Sequence, residues 1–476
     1  MPDAIQGFAL NPPTAPAAKV RLRRVMRGTE YFTLAFGSVV GVGWMVVLEE
    51  WFRRGGPVGA MLGFLIGGAA LVPVVYVYGR LAERFPEAGS EVAYTAAVFP
   101  RSVSFATGWA MSLAYVIVCP WEAIAMGKIA AYSFPQIRTI RLYQVGGYDV
   151  YLPFLLIALA TAAAITFINY RGVQQSTAFQ NLTTFGLLAI FCVFTPLGLA
   201  RGSTANLSPP FARPGAWGGL LSTLLVLQMV PYYLMGFETI PKCAEEAAAD
   251  FAPRRFLPVM FLALGAATVF YVSVPGVVAL LQPWKSLLEV RFATAVAFEH
   301  AFGWPWLVRL MMLGAVLSLL KVFNGNFLAG TRLLYAMGSK EMLGGPLGKV
   351  HGKLQTPAGA ILLVGLVTIL TVPLGETILV PITAVGSLTC ALGWLATCLS
   401  YCWGAGGTPA PFDRVIGTFG VVVAGVFVVI VVTGFGFFEW VVSIAWAACG
   451  LAWWLAVNFH SHHKGSTKSE PGQKTA

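Results

Sequence analysis

Phe36-Gly37-Ser38-Val39-Val40-Gly41-Val42-Gly43-Trp44 interrupts the first long apolar segment of the chain with three glycines in seven residues. Each glycine costs a helix ~1 kcal/mol relative to alanine and permits dihedrals closed to other residues. In a bilayer such an interruption is tolerated only where the freed backbone groups face protein, water or a ligand. Two readings stand. One is a discontinuous helix whose second half begins near Gly43 and aims unpaired N–H groups at an anionic group of a solute. The other is a small-residue face for helix packing, since Gly37 and Gly41 also form a G-x-x-x-G pair.

The composition places this segment in a membrane. Of 476 residues, 57% are hydrophobic and 11% charged, too little charge for a soluble chain of this length, and apolar stretches of about 20 residues recur, matching a ~30 Å hydrocarbon core. The net charge of +11 sits in short basic clusters between these stretches, with no aromatic-basic module beside them. It reads as membrane topology rather than nucleic-acid binding. The seven cysteines fall mostly in apolar segments without metal-ligand spacing, so free thiols and no metal or cofactor are expected. Residues 1–20 lack an apolar core and a cleavage site, so no removable signal peptide is expected.

Apolar runs predict twelve spans, at about 31–53, 58–79, 103–128, 151–169, 178–199, 218–241, 256–281, 303–336, 358–374, 377–403, 415–435 and 437–459. Lys19, Arg21, Arg23, Arg24 and Arg27 precede the first and hold the N-terminus in the cytoplasm by the positive-inside rule. Following the spans puts both ends in the cytoplasm and gives a two-to-one inside excess of Lys and Arg, with Lys321 left within a span. The localisation expected is the cell membrane.

A second interruption, Pro231-Tyr232-Tyr233-Leu234-Met235-Gly236-Phe237-Glu238, falls in the sixth predicted span. If spans one to five and six to ten are two halves, the breaks occupy corresponding positions, which points to a solute site at the membrane midplane. An odd number of spans per half inverts the second half relative to the first. The expected division is therefore a tail over residues 1–27, a ten-span core over 28–410, two added spans over 411–459 and a tail over 460–476.

With these residues in place, the chain resembles the amino acid–polyamine–organocation transporter superfamily, whose members have the leucine-transporter fold. The resemblance rests on Gly37 to Trp44, on Pro86-Glu87-Ala88-Gly89-Ser90-Glu91-Val92-Ala93-Tyr94, and on Ile168-Asn169-Tyr170-Arg171-Gly172. It continues in Gly236-Phe237-Glu238 with Glu245-Glu246, and in Asn324 with Thr331 to Met337 and Gln355-Thr356-Pro357. It implies an all-α membrane protein with a 5+5 inverted repeat and discontinuous first and sixth helices, working as a secondary transporter of amino acids or related amines. The first break would take the substrate carboxylate on backbone amides and the sixth its ammonium on carbonyls, as the polarity of helix ends favours. The implied substrate contacts are Val40, Gly41, Val42 and Gly43, then Met235, Gly236 and Phe237, with Cys119 on the third span. Tyr232 stands where relatives often have an aromatic lid, or is a packing aromatic.

Relatives that use sodium often have small hydroxyl residues three and two positions before the residue matching Asn324; here these are Lys321 and Val322. A Lys near a helix centre costs roughly 2.5–3.5 kcal/mol and has to face protein or a water cavity. Lys321 is expected to put its ammonium where sodium would sit, removing sodium coupling and making the Lys a candidate proton carrier. A fixed structural cation, or a Lys snorkelling to an interface, are the alternatives. Glu122 is either a proton acceptor and contact for a substrate ammonium, or an outer-interface Glu neutralised by Lys128 or Arg138. Glu238 is expected to shape the sixth-span break.

Ser318-Leu319-Leu320-Lys321 matches the S-x-x-K of penicillin-binding enzymes, but without the accompanying motifs it reads as chance. His460, His462 and His463 read as a solvated tail. No phosphate-binding loop, H-E-x-x-H helix or nucleophile elbow is present, which argues against a pump with its own ATPase and against a membrane protease. The expected function is a sodium-independent permease working by alternating access, proton-coupled or exchanging, with a small amine or amino acid and the bilayer as partners and no nucleic acid. A transporter-like sensor is the alternative, and the solute and oligomeric state are not legible.

Overall fold

The computed structural model describes residues 20–290 and 292–466, with the side chains of 148, 376–383 and 458–466 left out. Lys19, Arg291, Lys468, Lys474 and the side chains of His460, His462 and His463 lie outside that description. The protein is an all-α membrane protein. Among the described residues ten helices are long and apolar enough to cross a bilayer, and they match the second to fifth and seventh to twelfth predicted spans. The first and sixth predicted spans are broken into shorter pieces.

The first segment is α1 (Gly28–Val39), an irregular stretch at 40–42 and α2 (Gly43–Val46), and it leads into α3 (Leu48–Arg84). Inside α3 the helix turns at Gly56, with φ +66 and ψ 177. A Cβ there would lie 2.7 Å from the Ala212 nitrogen, so only glycine fits. The first apolar segment thus ends at Gly55 and Pro57 begins the second, close to the predicted boundaries.

The connector carries one turn of helix, α4 (Glu91–Ala96), before α5 (Arg101–Val116) and α6 (Val118–Ser133), which meet at Ile117 to make the third span. A hairpin of β1 (Arg141–Val145) and β2 (Tyr148–Tyr151) follows, turning at Gly146-Gly147. The sequence reading has no hairpin there, although two glycines between alternating runs are the usual hairpin signal. Next come α7 (Leu152–Arg171) and α8 (Val173–Arg201).

The sixth segment is α9 (Gly215–Leu227), α10 (Val230–Leu234) and α11 (Thr239–Lys242). After it come α12 (Phe256–Leu281), the short α13 (Ala293–Phe302), α14 (Pro305–Ser339), α15 (Ala358–Thr371), α16 (Leu379–Cys402), α17 (Pro411–Val432) and α18 (Phe437–Ser466).

Packing sets the centre. α14 touches α1, α5, α6, α8 and α15, and α1 is further enclosed by α8 and α12. α17 rests on α3 and α16, while α18 is the least buried of the long helices. α18 is pinned to α5 by a reciprocal pair in which each indole of Trp109 and Trp446 donates to the other's carbonyl at 2.9 Å.

Candidate functional site

The two breaks touch. Gly236 has φ +131, and a Cβ on it would lie 2.8 Å from the Val39 nitrogen and 3.0 Å from the Ser38 carbonyl carbon. Glycine is required here both for its dihedral and for the approach of one broken segment to the other. Glu238 holds the turn: its Oε2 accepts the Gly236 N–H at 2.9 Å, and its Oε1 accepts the Tyr115 hydroxyl at 2.7 Å. The first helix is discontinuous, and of the G-x-x-x-G pair only Gly37 packs closely. Gly37 is a packing glycine, since a Cβ would lie 2.1 Å from Gln180 Nε2, whereas Gly41 and Gly43 belong to the break.

Breaking α1 at residue 40 frees carbonyl oxygens, which side chains of two other helices take up. Tyr271 of α12 donates its hydroxyl to the Val39 carbonyl at 2.9 Å and accepts the Gly41 N–H at 3.1 Å. Ser318 of α14 donates to the carbonyls of Val40 and Gly41 at 3.2 and 2.9 Å. One turn further along α14, Lys321 donates to the Gly37 carbonyl at 3.2 Å and to that of Val40, and its ammonium lies 5.8 Å from the Phe36 ring centroid. Lys321 is fully buried, so it does not snorkel.

Other backbone groups of the two breaks have no partner among the described residues. Among the described residues no acceptor receives the N–H groups of Val42, Gly43 and Trp44, and no donor reaches the carbonyls of Tyr232, Tyr233, Leu234 and Met235. The first break therefore offers donors, and the second offers acceptors before Gly236 with the Phe237 N–H after it. Gly41 and Tyr232 are half-buried, while Val40, Val42, Gly43, Met235, Gly236 and Phe237 are buried.

Tyr232 packs its ring beside Gly386 of α16, and the neighbouring Tyr233 comes closer to the first break, since a Cβ on Gly43 would lie 2.6 Å from that ring. Tyr233 joins Trp51, Phe64 and Tyr271 in one aromatic cluster. Sequence reasoning singled out Tyr232 of this pair. Met235 Sδ meets Cys390 Sγ at 3.5 Å, and Phe237 stacks on Trp394 at 5.7 Å.

Cys119 is buried and donates back across the α5–α6 join to the Tyr115 carbonyl at 3.4 Å. Glu122, one turn on, is 2% exposed, which removes it from the outer interface. Its Oε2 has no hydrogen-bond partner among the described residues, and the opposing charge that acts on it is that of Lys321. Asn324, three residues after Lys321, donates to Gln180 Oε1 at 2.8 Å and accepts from Asn169 and Ser176 at 2.9 and 3.0 Å. That network ties α14 to α7 and α8 behind the break.

At one end of the bundle Arg332 grips Glu246 through two bonds of 3.1 and 2.6 Å, with both side chains fully buried. The Glu246 carbonyl accepts the N–H groups of Val25 and Met26, so the N-terminal segment lies across the foot of the sixth segment. No group of three or more His, Cys, Asp or Glu suited to a metal ion occurs among the described residues.

The family described as amino acid permease matches this chain over residues 29–460. The amino-acid permease RocE of Bacillus subtilis is 26% identical over 388 residues, covering 80% of each chain. The methylthioribose transporter of the same organism is 26% identical over 363 residues, covering 74% of this chain and 76% of its own. The branched-chain amino acid permease BcaP, also of B. subtilis, is 24% identical over 388 residues, covering 79% of this chain and 80% of its own. A match over nearly the whole chain, on a helical membrane bundle with broken first and sixth segments, settles the assignment: the protein belongs to the amino acid permease family of membrane transporters.

Proposed function

We propose that the protein is a secondary transporter that moves an amino acid across the cell membrane by alternating access, without sodium and with both termini in the cytoplasm. The observation that carries this reading is the complementary pair of unpartnered backbone groups, donors at Val42 to Trp44 and acceptors at Tyr232 to Met235. An α-amino acid presents the matching halves. Its carboxylate accepts from the first break and its ammonium donates to the second. Hydrogen bonds to a charged group contribute roughly 1.5–3 kcal/mol each, so a few at each end support binding in the micromolar to millimolar range, about −8 to −4 kcal/mol. The permease relatives named for amino acids support this class, while the methylthioribose transporter marks how far substrates vary within it.

Sodium independence rests on Lys321, whose ammonium occupies carbonyls of the first break that a cation would need. Glu122, buried with Oε2 unpartnered among the described residues, is the candidate proton acceptor, and protons or a counter-moving amino acid would drive the flux. The core would be residues 28–410 as two inverted repeats, with 411–459 added and residues 1–27 and 460–476 as tails. Uptake of a panel of amino acids into proteoliposomes, with and without sodium, tests the proposal. The expected result is saturable uptake unchanged by sodium and lost or uncoupled from the proton gradient in Lys321→Met. Sodium-stimulated uptake that survives Lys321→Met contradicts it.

A further inference from the structure

Apart from the two breaks, a groove of about 790 Å³ runs among α5, α6, α14, α15 and α18. On α18 it is lined by Phe438, Val441, Ala445, Cys449 and Trp453, which recur every three or four residues and so form one face of that helix. Facing them are Leu113 and Val116 of α5, Leu334 of α14, and Leu363 and Val367 of α15. α18 rests on α5 and α16, and the groove lies between it and α15. The polar groups in the lining are spent on their own helices or on each other. Ser112 donates to the Trp109 carbonyl at 2.8 Å and Thr371 to the Val367 carbonyl at 2.7 Å, and the indoles of Trp109 and Trp446 are paired reciprocally. Only hydrocarbon is presented to an occupant.

Size and charge select the occupant. From Phe438 to Trp453 the groove is about 22 Å long at 1.5 Å per residue, so its mean section is about 35 Å². A helix with its side chains is about 10–12 Å across, or roughly 80–110 Å² in section, and does not seat there. An extended hydrocarbon chain, whose atoms need about 4 Å to their neighbours, does. At the end marked by Leu343 and Trp453 stands Arg101, exposed, with Nη2 donating to the carbonyls of Lys340 and Glu341 at 3.2 and 2.7 Å. Its guanidinium lies 5.9 Å from the Trp454 ring centroid. Glu87 is taken by Lys340 at 3.5 Å, and no carboxylate pairs with Arg101 among the described residues.

We propose that this groove is a lipid site, in which one acyl chain of an anionic phospholipid lies between α18 and α15 and its phosphate meets Arg101. The lipid belongs to the leaflet on the Arg101 side, which the excess of basic residues makes cytoplasmic and where a basic side chain attracts anionic headgroups. The chain also covers Ile117 and Pro120 at the α5–α6 join, so it braces the third span from behind, close to Cys119 and Glu122. The inference needs only the membrane bundle and stands whether or not the transport reading does.

The test reconstitutes the full chain in phosphatidylcholine with a trace of phosphatidylglycerol carrying a diazirine midway along one acyl chain, irradiates it, and maps the adducts by peptide mass. Phe419, Val422 and Val426, exposed on α17, report contact with bulk lipid. Adducts are expected on the groove faces of α15 and α18, displaced by unlabelled phosphatidylglycerol at levels that leave the α17 adducts in place. Arg101→Gln is expected to weaken that displacement about fivefold, the factor one basic residue near the surface supplies, while Arg101→Lys retains it. Ala445→Trp and Leu363→Trp, which fill the groove from opposite walls, each remove the groove adducts. Groove adducts that titrate like those on α17 are bulk lipid and overturn the proposal. Groove peptides without adducts show the space closed by α18 or by another chain, and overturn it as well. Displacement that is equal for phosphatidylcholine, or unchanged in Arg101→Gln, overturns the headgroup contact.

Discussion

Gly236 and Lys321 show how much of the site is decided by single side chains. At Gly236 a methyl group meets the backbone of Val39 at 2.8 Å while φ is +131. Gly236→Ala is expected to cost about 1–3 kcal/mol through strain and to abolish uptake, read as a lower thermal midpoint and loss of proteoliposome transport; normal uptake would refute the contact between the breaks. Lys321 stood out in the sequence because a charge inside a span is costly. Ser318 reads as part of a chance S-x-x-K match, yet three-residue spacing puts both side chains on one face of α14, and both bind the first break. Tyr271 left no such trace, since it is one of fifteen tyrosines and only the packing of α12 against α1 brings it to Val39. Tyr271→Phe removes both bonds to the break, and a loss of about 1–3 kcal/mol, with a raised KM for uptake, is expected.

Among the elements, those that the membrane dictates were legible and those dictated by contact between loops were not. Apolar length marked every long helix, and glycine and proline marked both breaks, because lipid tolerates few exceptions to regular backbone. The α4 turn and the N-terminal segment across Glu246 depend on partners far away in the chain, whereas the hairpin before α7 pairs locally around Gly146-Gly147 and has a local signal that apolar length does not capture. The Glu246–Arg332 pair, fully buried, fixes the residue whose carbonyl holds Val25 and Met26. Glu246→Leu leaves a buried guanidinium unpaired and is expected to destabilise by about 3–5 kcal/mol, with faster tryptic cleavage at Arg21 and Arg23. Cleavage and thermal midpoint both at wild-type values would show that the pair does not fasten that segment. α18 offers a contrast. Trp446→Phe removes one bond of a reciprocal pair and is expected to lower stability by about 1 kcal/mol with uptake intact.

For the molecule as a whole, the helices hold two short irregular stretches face to face, and side chains of α12 and α14 consume the carbonyls of residues 39–41 while leaving the N–H groups of Val42, Gly43 and Trp44 without an acceptor among the described residues. That division of backbone groups gives the proposed site its polarity and leaves the choice of amino acid to the side chains around it. Hydrogen exchange of the purified protein, measured at residues 40–46 and 232–237 with and without a saturating transported amino acid, addresses the division directly. The account predicts that both stretches slow together when the amino acid is bound, and that Gly236→Ala removes the protection from both. Saturable binding that leaves the Val42 to Trp44 amides exchanging at their free rate would contradict it.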